Sequence, residues 1–170
     1  MKVLFVTAAI ISWIGNAQTS LAAEAVVQTP SPVIHLKDNL DEADGLGWCI
    51  DTIGRGLSNQ LHAHSCKPQG GDVQFRFDPQ SGQIASVAFD GLCATFTGSV
   101  PIGLIDCDAS NAQRFSYDID AMTFSPVSDP DTCLAVGAAS RSAGPFMSRD
   151  LDVVACDAVD DALKTWVVRP

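Results

Sequence analysis

Six cysteines in three evenly stepped pairs constrain this chain more than any other feature. Cys49 and Cys66, Cys93 and Cys107, and Cys133 and Cys156 stand 17, 14 and 23 residues apart. Their first members step along the chain by 44 and then 40 residues. A period in that range is the mark of a repeat architecture in which neighbouring units share one core. Six cysteines allow about 15 pairings. The repeat selects the one in which each unit closes on itself, and each such bridge contributes about 3 kcal/mol in the chain-entropy model.

An even cysteine count is read as disulfides when the chain is exported. The first 23 residues have that character. Lys2 supplies a positive start, and Val3 to Ile14 is apolar apart from Thr7 and Ser12. Ser20-Leu21-Ala22 and Ala23-Glu24-Ala25 offer small-x-small cleavage points. The apolar run is too short for a membrane span. Residues 1–23 are therefore expected to be a signal peptide, with the mature chain secreted or periplasmic and not inserted in a membrane. Loss of Lys2 takes the formal charge from −10 to −11. Such a chain is repelled by nucleic acid and by anionic membranes. No Cys-x-x-Cys is present, which leaves zinc-ribbon and thioredoxin-like chemistry without support.

Residues 24–32 read as a spacer, ending in Thr29-Pro30-Ser31-Pro32. Val33-Ile34-His35-Leu36 is a first strand, followed by an acidic loop from Asp38 to Gly47. Beyond Trp48, turn signals recur about every ten residues, among them Gly54-Arg55-Gly56, Asp78-Pro79, Ser81-Gly82, Asp90-Gly91 and Asp129-Pro130-Asp131. Many short strands at even spacing predict an all-β barrel or sandwich. Each unit also carries an aromatic 8–10 residues after its second cysteine: Phe75, Phe115 and Trp166. A ring recurring at one place in a repeat is expected to plug the core.

With Cys49-Ile50-Asp51, Cys66 and Gln74-Phe75 in the first unit, Cys93, Cys107 and Gln113-Arg114-Phe115 in the second, and Cys133, Cys156 and Lys164-Thr165-Trp166 in the third, residues 33–170 resemble the ricin-type β-trefoil lectin family. The resemblance is to a bacterial exported member. It implies a β-trefoil of three repeats of about forty residues, here about 33–90, 91–130 and 131–170, with pseudo-threefold symmetry. It also implies one carbohydrate site per repeat, often lost in some.

A sugar site needs a carboxylate or amide for paired hydroxyls and a flat ring for the apolar C–H face. By the resemblance, the first repeat supplies Asp51 as the acid and His64 as the ring, with Asp72 or Gln74 as the third polar group. His62, two residues before His64, shares its strand face. The second repeat has Thr95, Ile105 and Ala112 at these places, and the third has Ala135, Val154 and Leu163, so neither carries a site of this type. The His62, His64 and aspartate cluster is open to two other readings, a solvated surface or an N/O metal site. No metal or other cofactor is assigned.

The expected function is carbohydrate binding at one site at most, with a glycan or glycoconjugate as partner. Enzymatic activity is not expected: Gly-x-Ser-x-Gly is absent and every cysteine is assigned to a bridge. The alternative is a receptor-binding or scaffold subunit of a secreted toxin-like assembly, similar to the A and C subunits of cytolethal distending toxin and acting through protein contacts. The segment Gly137 to Arg149 lengthens the third loop and carries Arg141, Phe146, Met147 and Arg149. It is either a partner contact or a disordered loop.

Overall fold

The computed structural model describes residues 24–99 and 101–170; the expected signal peptide lies outside them. Short strands follow one another with tight turns between them. β1 (Val33–Leu36), β2 (Trp48–Thr52), β3 (Leu61–Ser65), β4 (Phe75–Asp78), β5 (Gln83–Ser86) and β6 (Leu92–Thr95) form the first half. β7 (Gly103–Asp106), β8 (Phe115–Asp118), β9 (Thr123–Pro126), β10 (Thr132–Ala143), β11 (Phe146–Ala155) and β12 (Trp166–Arg169) form the second. The one α-helical turn described, α1, covers Asp161–Lys164. Among the described residues, no helix is long and apolar enough to cross a membrane.

The strands form a six-stranded sheet in the order β10-β11-β3-β2-β1-β12, a four-stranded sheet β4-β5-β6-β7 and the pair β8-β9. Three antiparallel hairpins are clamped at their open ends by disulfides. Cys49–Cys66 closes β2–β3, Cys93–Cys107 closes β6–β7 and Cys133–Cys156 closes β10–β11. Three further pairings, β4–β5, β8–β9 and β12–β1, carry the recurring aromatics at their starts. Phe75, Phe115 and Trp166 are each at most 2% exposed and belong to one core with Trp48, Ile34, Leu36 and Phe124. The same backbone bond recurs beside each ring: Val87 N donates to Gln74 O (2.9 Å), Val127 N to Arg114 O (2.9 Å) and Lys37 N to Thr165 O (2.8 Å), while Phe115 N donates to Gly82 O (2.7 Å) and Trp166 N to Met122 O (2.7 Å). Gly82 sits at φ +76°, and a Cβ there would lie 2.8 Å from Phe115 O, so glycine permits this close approach.

Residues 24–32 are packed onto the domain rather than free of it. Thr29 is fully buried and donates to Lys67 O at 2.9 Å, Val26 N donates to Gly45 O at 2.8 Å, and Glu24 bridges Asp38. A Cβ on Gly47 would meet Ala25 Cβ at 2.6 Å, which measures how closely this segment lies on the first hairpin. The segment Gly137 to Arg149 is strand, not loop. β10 and β11 run on past the core as one long hairpin with a register shift between Val136 and Ser140, and turn at Gly144-Pro145.

Candidate functional site

The first disulfide hairpin places Asp51 directly opposite His62, and Cys49 opposite His64. Alternation along each strand puts Asp51, His62 and His64 on one face. The two imidazoles lie 5.5 Å apart, centroid to centroid. His62 Nε2 and His64 Nδ1 stand 3.9 and 3.8 Å from Asp51 Oδ2. His64 Nδ1 faces Ser65 O at 3.0 Å. A carbonyl only accepts, so that nitrogen carries the proton and has no lone pair for a metal. Among the described residues, no three His, Cys, Asp or Glu side chains are placed to hold a metal ion.

Asp51 is fully buried, and both of its oxygens are occupied. Oδ1 accepts from Thr52 N (2.7 Å) and Oδ2 from Lys67 Nζ (2.8 Å). Lys67 bridges on to Asp72 Oδ1 at 2.7 Å. Lys67 was not among the residues expected from sequence. A lysine next to a disulfide cysteine carries no motif, and only the fold brings together positions 51, 67 and 72. Burial pushes the Asp51 carboxyl up, against the pull of Lys67. Burial alone would lower Lys67, but its bonds to the two carboxylates outweigh that and raise it. Burial, helped by His64, Arg141 and Lys67, pushes His62 down to about 4, so it is neutral at physiological pH. His62 Nε2 has no hydrogen-bond partner among the described residues. The exposed rim of the cluster is Lys67 and Asp72, whose side chains are 17% and 19% accessible.

Gln74 stands apart from this cluster. Its Oε1 accepts from Gly71 N at 2.9 Å and its Nε2 donates to Pro30 O at 3.1 Å, tying the chain after Cys66 to residues 30–31. His64 is not an open platform either. It is 6% exposed, and the ring of Phe146 packs against it in a T-shaped contact at 5.5 Å and 63°. Phe146 arrives because β11 pairs with β3 as well as with β10, in the register Ser148↔His64 and Arg149↔Ala63. Arg149 locks that contact. It is 3% exposed, its guanidinium lies 4.8 Å from the Trp48 ring centroid, and it is ion-paired to Asp41.

The corresponding places in the other two hairpins are not acidic. Thr95 is buried and hydrogen-bonded to Gln113 Nε2 (3.2 Å), Ile105 is 46% exposed, and Ala135 is buried in the core. A concavity of about 1040 Å³ lies elsewhere, between β8–β9, α1 and Lys37-Asp38. Among its lining residues Lys164 is already bonded to Cys156 O, Val159 O and Asp161.

The whole chain can now be set beside known proteins. No family model matches it, and neither does any curated protein. Solved structures do. The β-trefoil lectin of the Vibrio vulnificus hemolysin/cytolysin, with N-acetyl-D-lactosamine bound, superposes at a TM-score of 0.56 and 14% identity over 80% of this chain and 90% of that one. The fold is a β-trefoil. Cytolethal distending toxin from Actinobacillus actinomycetemcomitans matches this trefoil at 0.56 and 18% identity, over 83% of this chain and 92% of that one. GalNAc-T7, with UDP, GalNAc and Mn2+ bound, matches at 0.52 and 19% identity, but over 72% of this chain and only 20% of that one.

Proposed function

We propose that the protein is an exported β-trefoil of the ricin type, built of three repeats, that binds a neutral sugar at one site in its first repeat. The observation that carries this reading is the convergence of Asp51, Lys67, Asp72, His62 and His64 at the open end of the first hairpin. The buried Asp51 orients the Lys67 ammonium, and the half-open Lys67–Asp72 pair faces outward with a donor and an acceptor side by side. That is the pairing vicinal hydroxyls require, each hydroxyl donating to the carboxylate or accepting from the ammonium. Asp51 thus serves as the anchor behind the site, and Gln74 as a brace for the loop that carries Asp72. The three disulfides support an extracellular or periplasmic setting.

The test is a printed glycan array, N-acetyl-D-lactosamine among its probes, read with the wild type and with Asp72→Ala and Lys67→Met. Asp72→Ala, at the partly open rim, is expected to melt near the wild type while losing the bound glycan; Lys67→Met also strips the buried Asp51 of its ammonium and is expected to melt lower as well as lose the glycan. Binding that survives both substitutions would remove the site from this hairpin.

One observation favours a second reading. Asp51 has no exposed surface and both its oxygens are engaged, as befits a purely structural group. On that reading the sugar sites are lost and the trefoil is a scaffold or receptor-binding subunit of a toxin-like assembly. It predicts an array silent for every glycan and a stoichiometric protein partner on co-purification.

A further inference from the structure

The third disulfide hairpin is the longest of the three, its cysteines 23 positions apart in sequence against 17 and 14. Its extra length is spent reaching the first hairpin. β11 adds to the outer edge of β3, and its residues Phe146 and Ser148 alternate onto the same sheet face as His62, His64 and Asp51.

The tip is fixed there by a dense set of contacts. Ser65 Oγ donates to Glu42 Oε1 (2.7 Å) and accepts from Met147 N (3.0 Å). Met147 Sδ accepts from Ala43 N at 3.3 Å. Arg149 and Ser140 both hold Asp41. Asp150, paired with Arg141, stands on the same face one step further along. The face therefore runs from the Lys67–Asp72 pair, past the two imidazoles, to a phenylalanine held at the hairpin turn. Phe146 packs against His64 with the two ring planes inclined at 63° and is only half-buried.

We infer that Phe146 is the aromatic platform of the first-repeat site, supplied across the trefoil by the third hairpin to receive the apolar C–H face of a pyranose whose hydroxyls meet Lys67 and Asp72. This inference rests on the sugar-binding reading above. It explains why a site with only histidine in the expected ring position need not lack an apolar surface. A phenyl ring offers what an imidazole lacks, a wholly apolar face. The ring also arrives with little conformational freedom left to lose, because its strand is pinned on both sides.

The experiment titrates wild type, Phe146→Ala, Phe146→Trp and Asp72→Ala against the brightest array glycan. Saturation-transfer NMR reports which sugar protons touch aromatic rings. Phe146→Ala is expected to bind about tenfold more weakly, the scale of one lost stacking contact, and to lose saturation of the ring C–H protons. Phe146→Trp is expected to bind at least as tightly as wild type. All variants are checked for unchanged melting, which the half-exposed position favours. Should Phe146→Ala bind within twofold of wild type while Asp72→Ala loses binding, the site stands and the cross-hairpin platform is overturned. A wild type that retains no glycan overturns both.

Discussion

At the scale of single residues, the position one or two before each recurring aromatic shows how one structural task is met by different chemistries. In the second repeat, Gln113 is fully buried. Its Nε2 donates to Asp106 O (2.8 Å) and its Oε1 accepts from Asp108 N (2.8 Å), closing the chain that follows Cys107. Gln74 does the same for the chain after Cys66. In the third repeat Lys164 reaches Cys156 O (2.6 Å) and Val159 O (3.0 Å) instead. This task accounts for the contacts that Gln74 makes. Sequence alone shows the amide and its spacing, but which groups it meets depends on how residues 30–31 and 70–71 pass each other in space.

His62 carries a residue-scale prediction. Its folded value of about 4 lies below the 6.5 of an unperturbed imidazole. Below 6.5 the unfolded chain binds a proton that the folded one refuses. Its effect on stability is therefore nil above pH 6.5 and becomes destabilising as pH falls toward 4, reaching up to about 3 kcal/mol there. Burial lowers His35 as well, with the same sign. Denaturant titrations across this window should show stability falling with pH, and a shallower fall in His62→Gln. An identical slope in the variant would mean that the imidazole is not shielded as described.

At the scale of elements, the disulfide hairpins were legible and the long one was only half so. Cysteine spacing and turn chemistry announce β2–β3, β6–β7 and β10–β11, because each bridge joins residues close in sequence and each turn carries its own glycine, proline or aspartate. The strand character of Gly137 to Arg149 was hidden. Its run of alanines, serines and a glycine is poor in β-formers, and it becomes strand by pairing with β11, which is itself added to β3, a contact between residues more than 80 positions apart. Lys67 carries no sequence signal, and Phe146 stands in the sequence only as one residue of a partner contact or disordered loop, for the same reason: their meaning lies in what they touch. Arg149 tests the docking of this hairpin. Arg149→Ala removes a buried stem packed on Trp48 and should lower unfolding free energy by about 2 kcal/mol. Arg149→Met should recover most of that, since filling the space matters more than a pair whose other member, Asp41, is half in water. Equal losses in the two variants would assign the stability to the charge instead.

At the scale of the whole molecule, charge decides what approaches. The chain carries twenty acids and ten bases, a formal −10, and the Lys67 cluster itself holds two carboxylates to one ammonium. Long-range repulsion should reject sulfated and sialylated glycans, and screening by salt should soften that rejection. The expected result is no retention on a sulfated-polysaccharide column at low salt; retention that salt abolishes would contradict it.

The pairing of β1 with β12 has a mechanical meaning as well. Val33 and Arg169 are register partners at the same end of their ladder, so the first and last strands leave the domain side by side. A load applied through the two ends would, once residues 24–29 had peeled away, part that ladder one rung at a time rather than shear all its rungs together. Tension between a tether at either end would open this molecule like a zip, and the three sulfur clamps, lying inside the closed circuit, would be the last things to feel it.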